Sequence, residues 1–206
     1  MTLEHIHQLP ATILAVTKYA TLEQIAHLYT AGFHEFGQSK VQDTITKKPH
    51  FPNATWHMIG HLQTNKVAKA IDLFDQIDSV DSLKLCQKLS TSCQAKQTTM
   101  PILFQLNLTG ESQKYGFSAN EFQEALPLMM SFSNLSPRGL MIMGPNTSEF
   151  DHIHQVFEKA KRIHTAATEN YPQLKTLSMG MSQDYAIALE HGATQLRLGS
   201  LLLNCV

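Results

Sequence analysis

Cysteine is scarce. Only Cys86, Cys93 and Cys205 occur in 206 residues, an odd set without a CxxC pair, which argues against a disulfide-stapled secreted scaffold and fits a reducing compartment. A charge of one sign is missing as well. Sixteen Lys and Arg stand against seventeen Asp and Glu, a formal net charge of −1, so no global basic field exists to gather nucleic acid or anionic lipid. There is no apolar run of about eighteen residues, the length a membrane span needs. The opening stretch, Met1 to Pro10, is polar and has no signal-peptide core. Two motifs are also absent. Where a G-x-G-x-x-G turn would follow the first apolar run, Lys18, Tyr19 and Ala20 stand, and no G-x-S-x-G elbow occurs anywhere. These absences point to a cytoplasmic protein that is neither a nucleic-acid binder nor a serine hydrolase.

What is present is a pattern of short apolar runs separated by stretches of helical periodicity. The runs are Thr12 to Lys18, Glu35 to Gly37, Thr55 to Gly60, Gln76 to Val80, Pro101 to Leu108, Arg138 to Met143, Thr176 to Gly180 and Gln195 to Gly199. Between them, Leu22, Ile25, Ala26 and Tyr29, and later Ile153, Val156, Phe157 and Ala160, recur at helical spacing. Alternation of this kind implies parallel strands with crossover helices, since a tight turn cannot reach a parallel neighbour. Eight units at roughly 26 residues each, without a dinucleotide fingerprint, favour a (β/α)8 TIM barrel over an open doubly wound sheet. No linker or composition break appears, so residues 1–206 read as a single domain.

In such a barrel the chemistry gathers at the carboxyl ends of the strands. Alternation along the first run puts Leu14, Val16 and Lys18 on one face, which carries Lys18 to the mouth. A partly desolvated lysine there suits a Schiff base with an aldehyde. Ser178 and Gly180 close the seventh run, and Gly199 and Ser200 close the eighth. Strands 7 and 8 are where barrels of this class often seat a phosphate, with glycines that let backbone N–H groups approach and hydroxyls that add donors. Arg197 shares a face with Gly199 and projects toward the same place. An arginine beside a pyridine nitrogen leaves the ring a poorer electron sink than a carboxylate would, which favours holding a cofactor over carbanion chemistry.

Several stretches resemble, in order, the pyridoxal phosphate homeostasis proteins (YggS/PROSC-like). They are AVTK at 15–18, WHMIGHLQTNK at 56–66, SVDSLKL at 79–85, QLNLTGESQKYGF at 105–117, RGLMIM at 138–143, LSMGMSQDY at 177–185 and GATQLRLGS at 192–200. The resemblance implies an alanine-racemase-like barrel without the racemases' second domain, binding pyridoxal 5′-phosphate. It makes Lys18 the Schiff-base lysine, Ser178, Gly180, Gly199 and Ser200 the phosphate loops, and Arg197 the residue facing the pyridine nitrogen. It implies a carrier or buffer of the cofactor that serves cofactor homeostasis and amino-acid pool balance, with apo-enzymes as possible recipients, as a monomer or weak dimer and without established catalysis. The other reading of the same barrel is an amino-acid racemase or decarboxylase. Ser39 stands where the family carries a cofactor-contacting asparagine, so that contact is expected to be shortened or lost. Leu201 to Leu203 are expected either to meet a partner or to fold back on the barrel.

Other features carry less. His57 and His61 are four residues apart, but no third metal ligand is spaced nearby. His57 reads most simply as a hydrogen-bonded core histidine and Trp56 as core packing. Lys47, Lys48, Lys66 and Lys69 are interleaved with Asp43, Asp72 and Asp75 and read as a solvated mixed face.

Overall fold

A computed structural model describes residues 2–111 and 113–206. Met1, from the polar opening stretch, and Ser112, from the 105–117 motif, lie outside the described residues. Eight parallel strands close into a barrel in chain order. They are β1 (Thr12–Val16), β2 (Glu35–Gln38), β3 (Thr55–Met58), β4 (Gln76–Val80), β5 (Met100–Leu106), β6 (Leu135–Ile142), β7 (Thr176–Ser178) and β8 (Gln195–Leu198). The α-helices are α1 (Leu3–His7), α2 (Leu22–Thr30), α3 (Val41–Lys47), α4 (Val67–Leu73), α5 (Leu83–Ala95), α6 (Ala119–Met130), α7 (Phe150–Asn170), α8 (Tyr185–Glu190) and α9 (Ser200–Leu203). The ring closes where β1 pairs with β8, Leu14 opposite Arg197 and Ala15 opposite Leu198.

Helix starts follow local chemistry. Thr21 and Ser118 each cap a helix through a reciprocal box, with Gln24 before α2's second turn and Glu121 at the equivalent place in α6. The buried apolar face of α7, Ile153, Val156, Phe157, Ala160 and Ile163, is the stripe that the periodicity marks. Strand residues split by parity. Ala15, Phe36, Trp56 and Ile77 pack outward against the helices, whereas Leu14 is buried inside the barrel, within 3.4 Å of where a side chain on Gly37 would begin.

All eight expected strands are present, but most end earlier than the apolar runs do. β1 stops at Val16, β3 at Met58, β7 at Ser178 and β8 at Leu198. Apolar character continues past the last ladder hydrogen bond because the mouth loops are themselves packed, as Met179 and Leu62 show by being almost wholly buried. Leu202 is fully buried, with Leu201 and Leu203 against the core, so this segment folds back on the barrel. Lys48 pairs with Asp75 and Lys96 with Asp72, consistent with a mixed-charge exterior. Among the described residues no helix is long and apolar enough to cross a membrane.

Candidate functional site at the barrel mouth

Lys18 follows β1 by two residues, in a turn, with its ammonium 5.0 Å from the centre of the Tyr19 ring. The expected partial desolvation is not found, and Lys18 is exposed. The reason is that the strand ends at Val16 and Lys18 lies in the turn that follows it. Thr17 is fully buried and fastened on several sides. Its N–H donates to the Gly37 carbonyl at 3.0 Å. Its carbonyl accepts from Lys47 Nζ at 2.8 Å and from Gln38 Nε2 at 3.1 Å. Gln38 Nε2 also lies 2.8 Å from the Thr17 hydroxyl. Burial pushes the Lys47 ammonium below its usual range, against the opposing pull of Asp43. The base of Lys18 is therefore rigid although its amine reaches into solvent. Gln38 Oε1 is buried beside this point without a hydrogen-bond partner. Ser39 follows it, half-buried, with its backbone packed so closely against Gly60 that a side chain there would collide with it.

The loops after β7 and β8 meet at one atom. Ser182 Oγ accepts from the N–H of Gly199 at 3.3 Å and of Leu201 at 3.2 Å. An oxygen is thus seated on two converging amides, the arrangement an anionic oxygen would use. Because α8 and α9 are short, this cradle rests on individual N–H groups rather than on a helix dipole. Gly180 has φ +90°, and a side chain on it would begin 2.5 Å from the Ala188 Cβ, so glycine is required there for conformation and for space. Asp184 Oδ1 accepts from the Met181 N–H at 2.6 Å and fixes the turn. Gly199 lies against β1, where its side chain would begin 3.6 Å from Val16 Cβ. The anion cradle and the base of Lys18 consequently share one rim.

Arg197 is 3% exposed and spends its donors on carbonyls. Nη1 donates to Ser178 O at 2.7 Å and to Ser178 Oγ at 3.0 Å, and Nη2 donates to Ile142 O at 2.7 Å. Burial lowers its pKa to about 10, with Asp78 and Asp184 opposing, so the guanidinium stays charged at neutral pH. The structure brings Ser178 to this guanidinium rather than to the anion cradle; the serine is fully buried, whereas Ser200 is exposed. Ser182, in the LSMGMSQDY stretch, is the serine whose hydroxyl lies on the Gly199 and Leu201 amides, a contact that the spacing does not announce.

Across the mouth, His61 Nδ1 lies 2.5 Å from Asp81 Oδ2, and its ring stacks on Tyr115 at 3.7 Å. The Tyr115 loop is tied down by Gln105 Nε2 donating to Tyr115 O at 2.7 Å and by Lys114 Nζ donating to Gly144 O at 2.9 Å. His57 and His61 engage different carboxylates, Asp78 and Asp81. His57 is the buried, hydrogen-bonded core residue that the sequence suggests, and Trp56 is fully buried.

A family model described as the N-terminal domain of alanine racemase matches residues 2–205. A curated pyridoxal phosphate homeostasis protein of Helicobacter pylori is 36% identical over 200 residues, spanning 93% of this chain and 86% of its own. One from Synechocystis is 33% identical, spanning 98% and 95%. Among solved structures, PipY of Synechococcus elongatus with PLP bound superposes with a TM-score of 0.88 at 31% identity, covering 97% of this chain and 96% of that one.

Proposed function

Because this chain belongs to the family of pyridoxal phosphate homeostasis proteins, we propose that it binds pyridoxal 5′-phosphate at the mouth formed by β1, β7 and β8 and carries or buffers it. The whole chain is taken as one cofactor-binding unit. One observation carries the reading: the exposed Lys18 amine, on a fully buried and fastened Thr17, shares a rim with the Ser182–Gly199–Leu201 cradle.

The donor set suits this cofactor. Lys18 supplies the amine that would hold the aldehyde. The amides of Gly199 and Leu201, with the hydroxyls of Ser182 and Ser200 and the tight turn at Gly180, suit a phosphate. Arg197, backed by Ser178, presents a fixed positive charge toward the ring position. Gln38 Oε1, buried beside Thr17, leaves polar capacity unused at the base of Lys18. When bound, the cofactor supplies an aldehyde that condenses with amines and a ring that withdraws electrons. The protein's part is to position that aldehyde by its amine and anion, while Arg197 withholds the carboxylate partner that would strengthen electron withdrawal. This supports storage and hand-over, with apo-enzymes as recipients, above turnover.

The test is borohydride reduction of the cofactor-loaded chain followed by mass mapping. The label is expected on the peptide containing Lys18 and is expected to vanish in Lys18→Ala, while inorganic phosphate still binds that variant. A label on another lysine overturns the assignment. Incubating the loaded chain with L-amino acids in deuterated water separates carrier from racemase or decarboxylase. Exchange of the α-proton well above that of free cofactor favours the enzyme.

A further inference from the structure

The opposite end of the barrel carries a second arrangement of charge. A cavity of about 590 Å³ opens there at the amino ends of the strands and includes none of the mouth residues. Its volume lies within the usual range for small-ligand sites, roughly 300–1,000 Å³. At its floor is a buried polar chain. His57, 4% exposed, sets Nδ1 at 3.1 Å from Asp78 Oδ2, and Gln76 Nε2 donates to Asp78 Oδ1 at 2.8 Å. A carboxylate can only accept, so Nδ1 carries the hydrogen, and Nε2, which makes no hydrogen bond, is left for the cavity. Above the floor stand three long side chains that make no ion pair or hydrogen bond among the described residues. Glu35 opens β2, Arg138 lies near the start of β6, and Lys175 immediately precedes β7. The other acid at the rim, Asp75, is already taken by Lys48 Nζ at 2.9 Å and the Trp56 N–H at 2.8 Å.

In an eight-stranded ring β2 and β6 face each other. The free carboxylate of Glu35 and the free cations of Arg138 and Lys175 therefore form opposite poles of one basin. A simple anion would use only the basic pole and be repelled by Glu35; a simple amine would meet the reverse. Both poles are used together by a compact ligand that carries an ammonium and a carboxylate. We infer that this basin is a binding site for a free α-amino acid, its ammonium on Glu35 and its carboxylate on Arg138 and Lys175, over the His57 floor.

The site lies at the far end from the cofactor mouth, so the inference does not depend on the proposed function. Equilibrium binding of radiolabelled L-alanine, L-glutamate and L-lysine is measured on the full chain as purified and on the borohydride-reduced, cofactor-loaded chain, which cannot condense with an amine. Saturable binding of at least one of the three is expected, equal in both preparations within about twofold. Glu35→Gln and Arg138→Gln are each expected to weaken it about tenfold or more, because each strands one pole of the ligand. Arg138→Lys, which keeps the charge, is expected to recover most of the loss. Propionate and ethylamine, the two halves of alanine, are expected to compete poorly. Lack of saturable binding for all three amino acids overturns the inference, as does indifference to both substitutions. Binding that disappears on cofactor loading places the ligand at the mouth and likewise overturns it. Propionate competing as well as alanine reduces the basin to an anion site and sinks the zwitterion assignment.

Discussion

The two ends of the barrel hold their polar groups in different ways. At the carboxyl-terminal mouth the donors are mostly main-chain amides and buried side chains already bound to one another, and the Lys18 amine is exposed above them. At the amino-terminal basin the proposed recognition groups are the tips of long side chains over the buried, hydrogen-bonded His57–Asp78 pair. The mouth thus inherits its geometry from where strands stop and turns begin, with the Lys18 side chain standing above it. The basin depends on side chains throughout. Its stability and its ligand preference are therefore separable by substitution, whereas those of the mouth are partly fused.

The comparison breaks most sharply at the basin floor. His57→Leu leaves Gln76 as the hydrogen-bond partner of the buried Asp78 carboxylate, with Arg197 acting on it through charge, and is expected to cost about 3–5 kcal/mol in urea unfolding. Burial by itself would lower the His57 pKa. The Asp78 charge and hydrogen bond, with Glu35 and Asp75 behind them, outweigh burial and hold it above the ordinary 6.5. A group whose pKa is raised in the folded state stabilises most when protonated in both states, that is, below 6.5. That contribution is lost as pH climbs through the higher folded value. Urea midpoints of the parent should accordingly fall as pH rises above about 6.5, and His57→Leu should lose that slope. A parent without the slope would mean that the buried imidazole is neutral.

Next is the mouth's backbone. Gly180→Ala forces a left-handed conformation on a residue with a Cβ and drives that atom toward Ala188. We expect a loss of about 2–3 kcal/mol, read by chemical denaturation, together with weaker phosphate binding. Ser182→Ala is smaller in stability, about 1 kcal/mol, because the amides of Gly199 and Leu201 can turn to water. Its affinity for inorganic phosphate should drop about tenfold while the borohydride label stays on Lys18. If the affinity is unchanged, the cradle is only a loop staple. Lys96→Ala, at an exterior pair with Asp72 that lines neither the basin nor the mouth, is the control. The pair is largely solvent-exposed, so stability should move by less than about 0.5 kcal/mol, with no effect on either ligand.

The barrel itself was legible because parallel strands need crossovers, and crossovers print a long period between short runs. The run from Gln76 to Val80 matches β4 residue for residue. Strand ends were less legible, since the loops after Val16 and Ser178 stay packed and keep apolar character. That is also why Lys18, which the alternation reads as partly desolvated, is exposed: β1 ends at Val16 and Lys18 lies in the turn beyond it. At the candidate site, strand positions alone set Lys18 after β1, Gly180 after β7, and Arg197, Gly199 and Ser200 at the end of β8. That Ser178 meets Arg197 while Ser182 meets the Gly199 and Leu201 amides was not legible, because a hydroxyl's partner depends on which way a turn folds, which spacing does not encode. The His57–Asp78 pair was legible only as a core histidine. Its partner lies 21 residues away on the neighbouring strand, and pairing across a ladder requires the register.

The short turn at 200–203 does two jobs at once. Its Leu201 amide, with that of Gly199 just before it, sits on Ser182, and its Leu202 is sunk into the hydrophobic interior. Any guest that grips those amides also clamps the apolar plug behind them, so loading and the fraying of this segment are thermodynamically linked. Backbone amides at 202–205, which donate to carbonyls at 199–202, should then exchange their hydrogens more slowly in the charged carrier than in the discharged one. A recipient able to loosen that plug would lower the carrier's grip without ever touching Lys18.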